Sequence, residues 1–508
     1  MPHTRVSRCQ LARFLAFLLV PFLVGGLVAC APPWRLVWRK APPHPLADQR
    51  PALRPAFVTD LDDPALQDAP RYQLQLDVDL TQRVITGTAQ ITVTNRTENS
   101  WSNVALRLYP NLTHYGGGDS FDVLSVTWQG EPLGFGVTET GTAILVDTPT
   151  LILPGERIAL KVVYTLRYPR HEQNGYWLFG EYAGIVNLPL AYPVLALSSR
   201  DGSWNLSDGI SLGDTLAAAS ALYHVRVTLP MTTTLVSSGI ISATFPQTET
   251  QRIVYELVSG PAREFTLVVG DFRVREVKID GVRVRVFVLP EDEDMAEIAL
   301  RYAAAVFQVY QRHFGPYPFA KLDVVEAPLL NRGMEYSTLN QIGMDLFKAE
   351  RSKLEFLIAH EIGHQWWYNL VGNDQVGEPW LDEGLTEYST YFYYEDVYGR
   401  ARAEVLRKRR WEIPLTYVQQ RGLDAPLGQP ASAYSRENYE TIVYAKGALF
   451  FHALRERLGD RVFEKGLREY LRAYRYRVAT SHDLQRVFEA VSGMSLDEMF
   501  MDWVYSGG

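Results

Sequence analysis

Residues 357–370 read LIAHEIGHQWWYNL, and the fold follows from how this stretch is read. His360 and His364 are four residues apart, so on a helix they share one face, a turn apart. Two imidazoles so placed can reach one metal ion, with Glu361 beside the ion rather than on it. This H-E-x-x-H spacing supplies two ligands and a general base. The plain alternative is two packed or solvated histidines on an amphipathic helix. A third ligand decides between them, because a catalytic zinc takes three protein ligands and keeps one position for water. Glu378, Glu383 and Glu387 are the candidates that follow. Glu378 precedes Pro379 in a segment that reads as loop. Glu383 opens the aromatic helical run LDEGLTEYSTYFYYEDVYG, where a carboxylate can turn back toward the first helix. Glu383 is therefore the expected ligand. Glu387, one turn on, is placed to orient a ligating histidine from behind.

Upstream, the hydrophobic period changes. In RVITGTAQITVTN, Ile85, Gly87, Ala89, Ile91 and Val93 share one face and the threonines and Gln90 the other, which predicts a half-buried strand. YHVRVTLP repeats the pattern with Tyr223, Val225, Val227 and Leu229 inward. In VREVKIDGVRVRVFV, Asp280-Gly281 sits between two alternating runs, a hairpin signal. Residues 71–290 thus read as an N-terminal antiparallel, sandwich-like β domain. After Pro290 the spacing becomes helical. DMAEIALRYAAAVFQVYQRHF starts with Asp294 as expected N-cap and Glu297 three residues on. A short strand, KLDVVEA, and RGMEYSTL precede the histidine helix, and further helical runs reach the end of the chain.

With 508 residues and 47% hydrophobic content, the chain can bury two or three real cores. Its formal charge of −8 and the lack of a basic block beyond the N-terminus argue against nucleic-acid binding. Arg5, Arg8 and Arg13 precede an apolar run from Phe14 to Ala29, the plan of a signal peptide over 1–29. The run ends LVAC, which resembles a bacterial lipobox with Cys30 as the lipidated new N-terminus. The chain's only other cysteine, Cys9, would leave with the signal, so no disulfide is expected. Residues 30–70 are proline-rich and without period, and read as a tether between membrane and fold.

Three separated motifs carry a resemblance over roughly 70–508. HEIGHQWW is followed, after eighteen residues, by Glu383 in WLDEG. Gly333-Met334-Glu335-Tyr336 is similar to a G-x-M-E-N motif. Tyr444 stands before a Lys-Gly pair in VYAKGA. Together they resemble the M1 family of zinc aminopeptidases, the gluzincins that include aminopeptidase N and leukotriene A4 hydrolase. The resemblance implies a thermolysin-like, mainly helical α+β catalytic domain over 291–508. It implies one Zn2+ per chain on His360, His364 and Glu383, and peptide hydrolysis by zinc-bound water with Glu361 as base. Tyr444 would then stabilise the oxyanion. Glu335 would bind the substrate's free α-amine, with Gly333 and Met334 lining the peptide. Expected partners are peptides with a free N-terminus, and the membrane through Cys30.

The departures from the family pattern are specific. Tyr336 replaces the motif's Asn, and Arg332 stands at its first Gly, where it could partly neutralise Glu335. The β-domain Gln that makes a second amine contact in the family has no clear counterpart; Glu181 in LFGEYAG is a weak match. FMDWVYSGG resembles the end of the family's catalytic domain, which predicts a short form without the helical domain that follows in larger members. The rival readings are another zinc hydrolase, an endopeptidase or epoxide hydrolase, and a non-catalytic peptide-binding surface protein.

Overall fold

The computed structural model describes residues 48–506, other than 116–119, 174, 177, 215 and 217. The expected signal peptide and Cys30 lie outside the described residues. No helix among the described residues is long and apolar enough to cross a membrane.

The N-terminal half is built on an eight-stranded sheet. Its order is Ile240–Gln247, Arg252–Val258, Leu222–Pro230, Arg71–Asp79, Val84–Thr94, Arg157–Arg167, Phe121–Trp128 and Glu131–Pro132. Neighbours are antiparallel except Arg71–Asp79 beside Leu222–Pro230. Val84–Thr94 buries Ile85, Gly87, Ala89, Ile91 and Val93 on one face, as its period of two requires. Two four-stranded sheets complete this half, and their apolar faces join the same core.

The second half holds a five-stranded sheet in the order Arg273–Ile279, Val282–Val288, Lys321–Ala327, Leu339–Gly343, Gly333–Met334. The first two strands are the Asp280-Gly281 hairpin. Both turn residues have positive φ, 50° and 86°, as a two-residue hairpin turn of matching twist demands. This corrects the boundary expected at 290. Val282–Val288 runs parallel to Lys321–Ala327, and the helix Glu293–Phe314 makes the crossover between them. The hairpin buries Val282, Val284, Val286 and Val288 in the helical core, so it belongs to the second half. That helix starts one residue before the expected N-cap, and Asp294 lies in its first turn.

The tether reading is also corrected from residue 48 on. Arg50–Ala52 and Pro55–Asp62 form 3-10 turns and Pro64–Gln67 a short helix. Each has proline in its first turn, where a missing N–H costs nothing. Leu53, Leu66 and Ala69 are buried in the core of the second half. Asp60 accepts from Arg475 and from the Tyr476 hydroxyl, and Asp63 from Arg477. Pro51, Pro55 and Pro64, which suggested part of an extended linker, start these elements instead.

Candidate active site

The helix Arg351–Gly363 carries His360 and Glu361 in its last turn, and His364 caps it while still in helical conformation. The two imidazoles therefore face the same way, with ring centroids 5.0 Å apart. Glu383 comes from the first turns of the helix Trp380–Tyr398. Its Oε2 lies 3.2 Å from Nε2 of both histidines. Ligand atoms of all three residues lie within 4.8 Å of one another, and all three residues are buried.

The outer ring nitrogens are engaged elsewhere. His364 Nδ1 is 3.0 Å from the Trp367 carbonyl and His360 Nδ1 is 3.1 Å from Glu387 Oε2. Nε2 of each ring is the nitrogen that faces Glu383. Two imidazoles and one carboxylate converging in a buried site are the donor set a catalytic zinc takes, so the residues present fit that ion. Glu387 does sit behind His360, held by Arg410 Nε at 2.6 Å and Trp411 Nε1 at 2.7 Å. Burial opposes its charge, but Arg410 and His360 bring its carboxyl down to about 2. Glu378 points away from the site, accepting from Ser481 Oγ at 2.5 Å.

Glycines set the close approaches. A Cβ on Gly333 would overlap the Glu361 carboxylate, so the general-base candidate rests directly on the sheet edge. A Cβ on Gly384 would lie 2.8 Å from Gly447 Cα. The WLDEG helix and the helix after VYAKGA therefore touch backbone to backbone. That contact brings Tyr444, one turn before Gly447, to Glu383: its hydroxyl donates to Oε1 at 2.6 Å, and its ring stacks on His360 at 5.8 Å.

Glu335 is 3% exposed and lies with Glu361 and His364 in a second close cluster. Gln375 Nε2 donates to its Oε1 at 3.1 Å and to Asp382 Oδ2 at 2.9 Å. Arg332 does not neutralise it. The guanidinium turns to Glu350 at 2.7 Å and Asp345 at 3.1 Å. Arg332 has φ of 72°, a glycine-favoring conformation that costs an arginine on the order of 1–2 kcal/mol. Tyr336, in place of Asn, is buried among residues of the β core, as is Met334. Glu181 faces Arg170 at 3.8 Å.

The site is acidic. Burial pushes Glu361 up to about 8 and Asp382 up to about 7, and it raises Glu335. Burial and the nearby Glu335 and Glu383 hold Asp214 well above the carboxylate range. Glu383 is the exception. Burial works against its charge, but the two histidines keep its carboxyl below the usual range. Asp214, Asp382 and Gln375 escaped the sequence reading. Asp382 was visible inside WLDEG but unassigned. Asp214 comes from a β-domain loop with no motif. That loop is fixed by Arg436, which donates to Ser211 Oγ at 2.7 Å, and by Gly213, where a Cβ would overlap the Tyr439 hydroxyl.

A histidine pair one helical turn apart, completed by a glutamate from the next helix, is a donor set that fits a catalytic zinc. The model of the peptidase family M1 domain matches residues 298–503. It is 25% identical over 260 residues to Aminopeptidase M1 of Arabidopsis thaliana, covering 48% of this chain and 29% of that protein. It is 26% identical over 243 residues to human Endoplasmic reticulum aminopeptidase 1, covering 43% and 24%. The matched segments thus span under a third of these curated relatives. Among solved structures, the M1 zinc metallopeptidase from Deinococcus radiodurans shares the fold, with TM-score 0.63 and 20% identity over 86% of this chain and 93% of that one. A mutant of that protein, bound to a Tyr-Ser-Ala substrate, matches with the same TM-score.

Proposed function

We propose that this chain is a zinc-dependent aminopeptidase that removes N-terminal residues from peptides, with one zinc on His360, His364 and Glu383. The observation that carries the reading is Glu335. It is a buried carboxylate beside Glu361 and His364, with no lysine or arginine paired to it among the described residues. A substrate α-ammonium supplies the missing positive charge, and its fixed distance from the metal ligands makes the enzyme count from a free N-terminus. Asp214, reaching in from the β domain, is the proposed second contact to that amine.

Bound zinc polarises the scissile carbonyl and lowers the pKa of water toward about 7. Glu361 takes the proton from the attacking water and delivers it to the leaving amine. Tyr444, stacked on His360, turns its O–H from Glu383 Oε1 to the oxyanion as that charge develops. Gly333–Met334 is the outermost strand of its sheet, so its outer edge lines the peptide backbone.

The test compares peptides with free and acetylated N-termini, with and without chelator. A charge-assisted hydrogen bond of about 1.5–3 kcal/mol predicts that acetylation lowers kcat/KM by roughly ten- to a hundredfold, and Glu335→Ala removes much of the difference. Internal cleavage of blocked peptides at the rate free ones lose their first residue would replace this reading with an endopeptidase.

The same reading places the enzyme outside the cytoplasm, anchored through a lipid on Cys30. The support is the order of Arg5, Arg8 and Arg13, the apolar run and LVAC. Cys30→Ser blocks lipid labelling on this reading; normal processing to a soluble product would point to an ordinary signal peptide.

A further inference from the structure

The β domain sends two adjacent charged residues into the catalytic half. Arg263 and Glu264 are 1% and 0% exposed, and they are not ion-paired with each other. Burying such groups is costly unless every polar atom finds a partner. Most of their partners belong to segments that frame the site.

Glu264 Oε1 accepts from the Ser337 N–H at 2.5 Å and Oε2 from the Tyr368 hydroxyl at 2.7 Å. Arg263 donates from Nε to the Tyr368 carbonyl, from Nη1 to the Ala218 carbonyl at 3.2 Å and from Nη2 to the Arg477 carbonyl at 2.8 Å. A Cβ on Gly372 would overlap the guanidinium, so that glycine makes the space it occupies.

Three of the four partner residues lie a few residues from a group with a proposed role. Ser337 is two residues after Glu335. Tyr368 is four after His364. Ala218 is four after Asp214. The links continue inward. The Arg263 N–H donates to Ser337 Oγ at 3.1 Å, and Ser337 Oγ donates to Asn369 Oδ1 at 2.5 Å. Asn369 Nδ2 then donates to the Glu335 carbonyl at 3.0 Å and the His364 carbonyl at 3.4 Å. Tyr368 is held at both ends, and its φ of 134° is one that non-glycine residues avoid. Such a conformation persists where the surroundings over-determine it.

We propose that Arg263 and Glu264 are positioning residues that set the amine-binding carboxylate in register with the metal ligands. This inference rests on the aminopeptidase reading. The β domain is then part of the catalytic apparatus, because the distance between amine site and metal site is fixed from its side of the interface. Neither residue touches substrate; both act through Ser337, Tyr368 and Asn369.

The test reads inhibition constants, which do not depend on how much of a preparation is active. The probes are L-leucinamide and its N-acetyl derivative, against the enzyme's own hydrolysis of an alanyl chromogenic substrate, with zinc content measured in parallel. The wild type should bind leucinamide more tightly than the acetyl form; if it does not, the aminopeptidase reading fails and this inference falls with it. Glu264→Met removes both contacts, and Tyr368→Phe removes one. Misplacing a positioned group by a fraction of an ångström weakens leucinamide at least about fivefold and leaves the acetyl form unchanged. Glu264→Gln should stay near wild type, since its oxygen accepts from Ser337 and its amide donates to Tyr368. Glu264 that only stabilised the interface would lower active fraction and Tm without moving either constant, and that result overturns the proposal. Should Glu264→Met not fold, Tyr368→Phe decides by the same constants.

Discussion

Replacing Gly333 by alanine isolates the contact between the sheet edge and the general-base candidate. Gly333 has no left-handed φ, so alanine meets no backbone strain there. The single added atom is the whole perturbation. A Cβ at Gly333 overlaps Glu361 Oε1, whereas ordinary contact begins near 3.4 Å. The carboxylate must therefore retreat by more than an ångström or swing to another rotamer. A misplacement of about 1 Å costs on the order of a hundredfold in rate, equivalent to about 2.7 kcal/mol of barrier. His360, His364 and Glu383 lie on the other two elements and keep the metal. Gly333→Ala should thus hold zinc stoichiometrically, melt near the wild-type Tm and lose about a hundredfold in kcat. Gly136→Ala is the control, since nothing lies within 4 Å of its Cβ position. Steady-state kinetics, metal analysis and thermal unfolding read the three quantities. A Gly333→Ala enzyme with kcat within twofold of wild type would refute the placement of Glu361 as base.

Glu383→Ala should strip zinc to a small fraction of wild-type occupancy in dialysed protein, whereas Glu378→Ala, remote from the site, should keep it. Full retention in the first variant would reassign the third ligand. Tyr444→Phe should keep zinc and lower kcat by roughly a hundredfold, as for loss of one oxyanion donor; unchanged turnover would remove that role. The metal-free protein should show an inverted pH response. Burial lifts Glu361 to about 8 and Asp382 to about 7, so the folded state retains protons that unfolded carboxylates release near pH 4. Folded metal-free protein therefore loses stability as pH rises from about 4.5 to about 8. Zinc should flatten that slope by favouring the charged carboxylates. A metal-free Tm that climbs across this window, measured by calorimetry, contradicts it.

The sequence by itself carried what depends on local period. Four-residue spacing put His360 and His364 on one helical face, and the next helix offered Glu383 in its first turns. Alternation in RVITGTAQITVTN and YHVRVTLP marked strands buried on one side, and Asp280-Gly281 marked a two-residue turn. None of these readings needs a distant partner, because side-chain direction along a helix or strand follows from the backbone repeat. Tertiary structure decided which elements touch. Residues 48–70 fold back as proline-started turns because Leu53, Leu66 and Ala69 find a core more than two hundred residues away. The Asp280-Gly281 hairpin changes halves because Val282–Val288 finds a parallel partner beyond the crossover helix. Tyr444 reaches Glu383 and His360 only because Gly384 and Gly447 let two helices meet at backbone distance. Asp214, Arg263 and Glu264 carry no local signature at all. Their importance lies in where a buried charge ends up, and the energy of a buried charge is set by partners that only the folded chain brings within hydrogen-bonding distance.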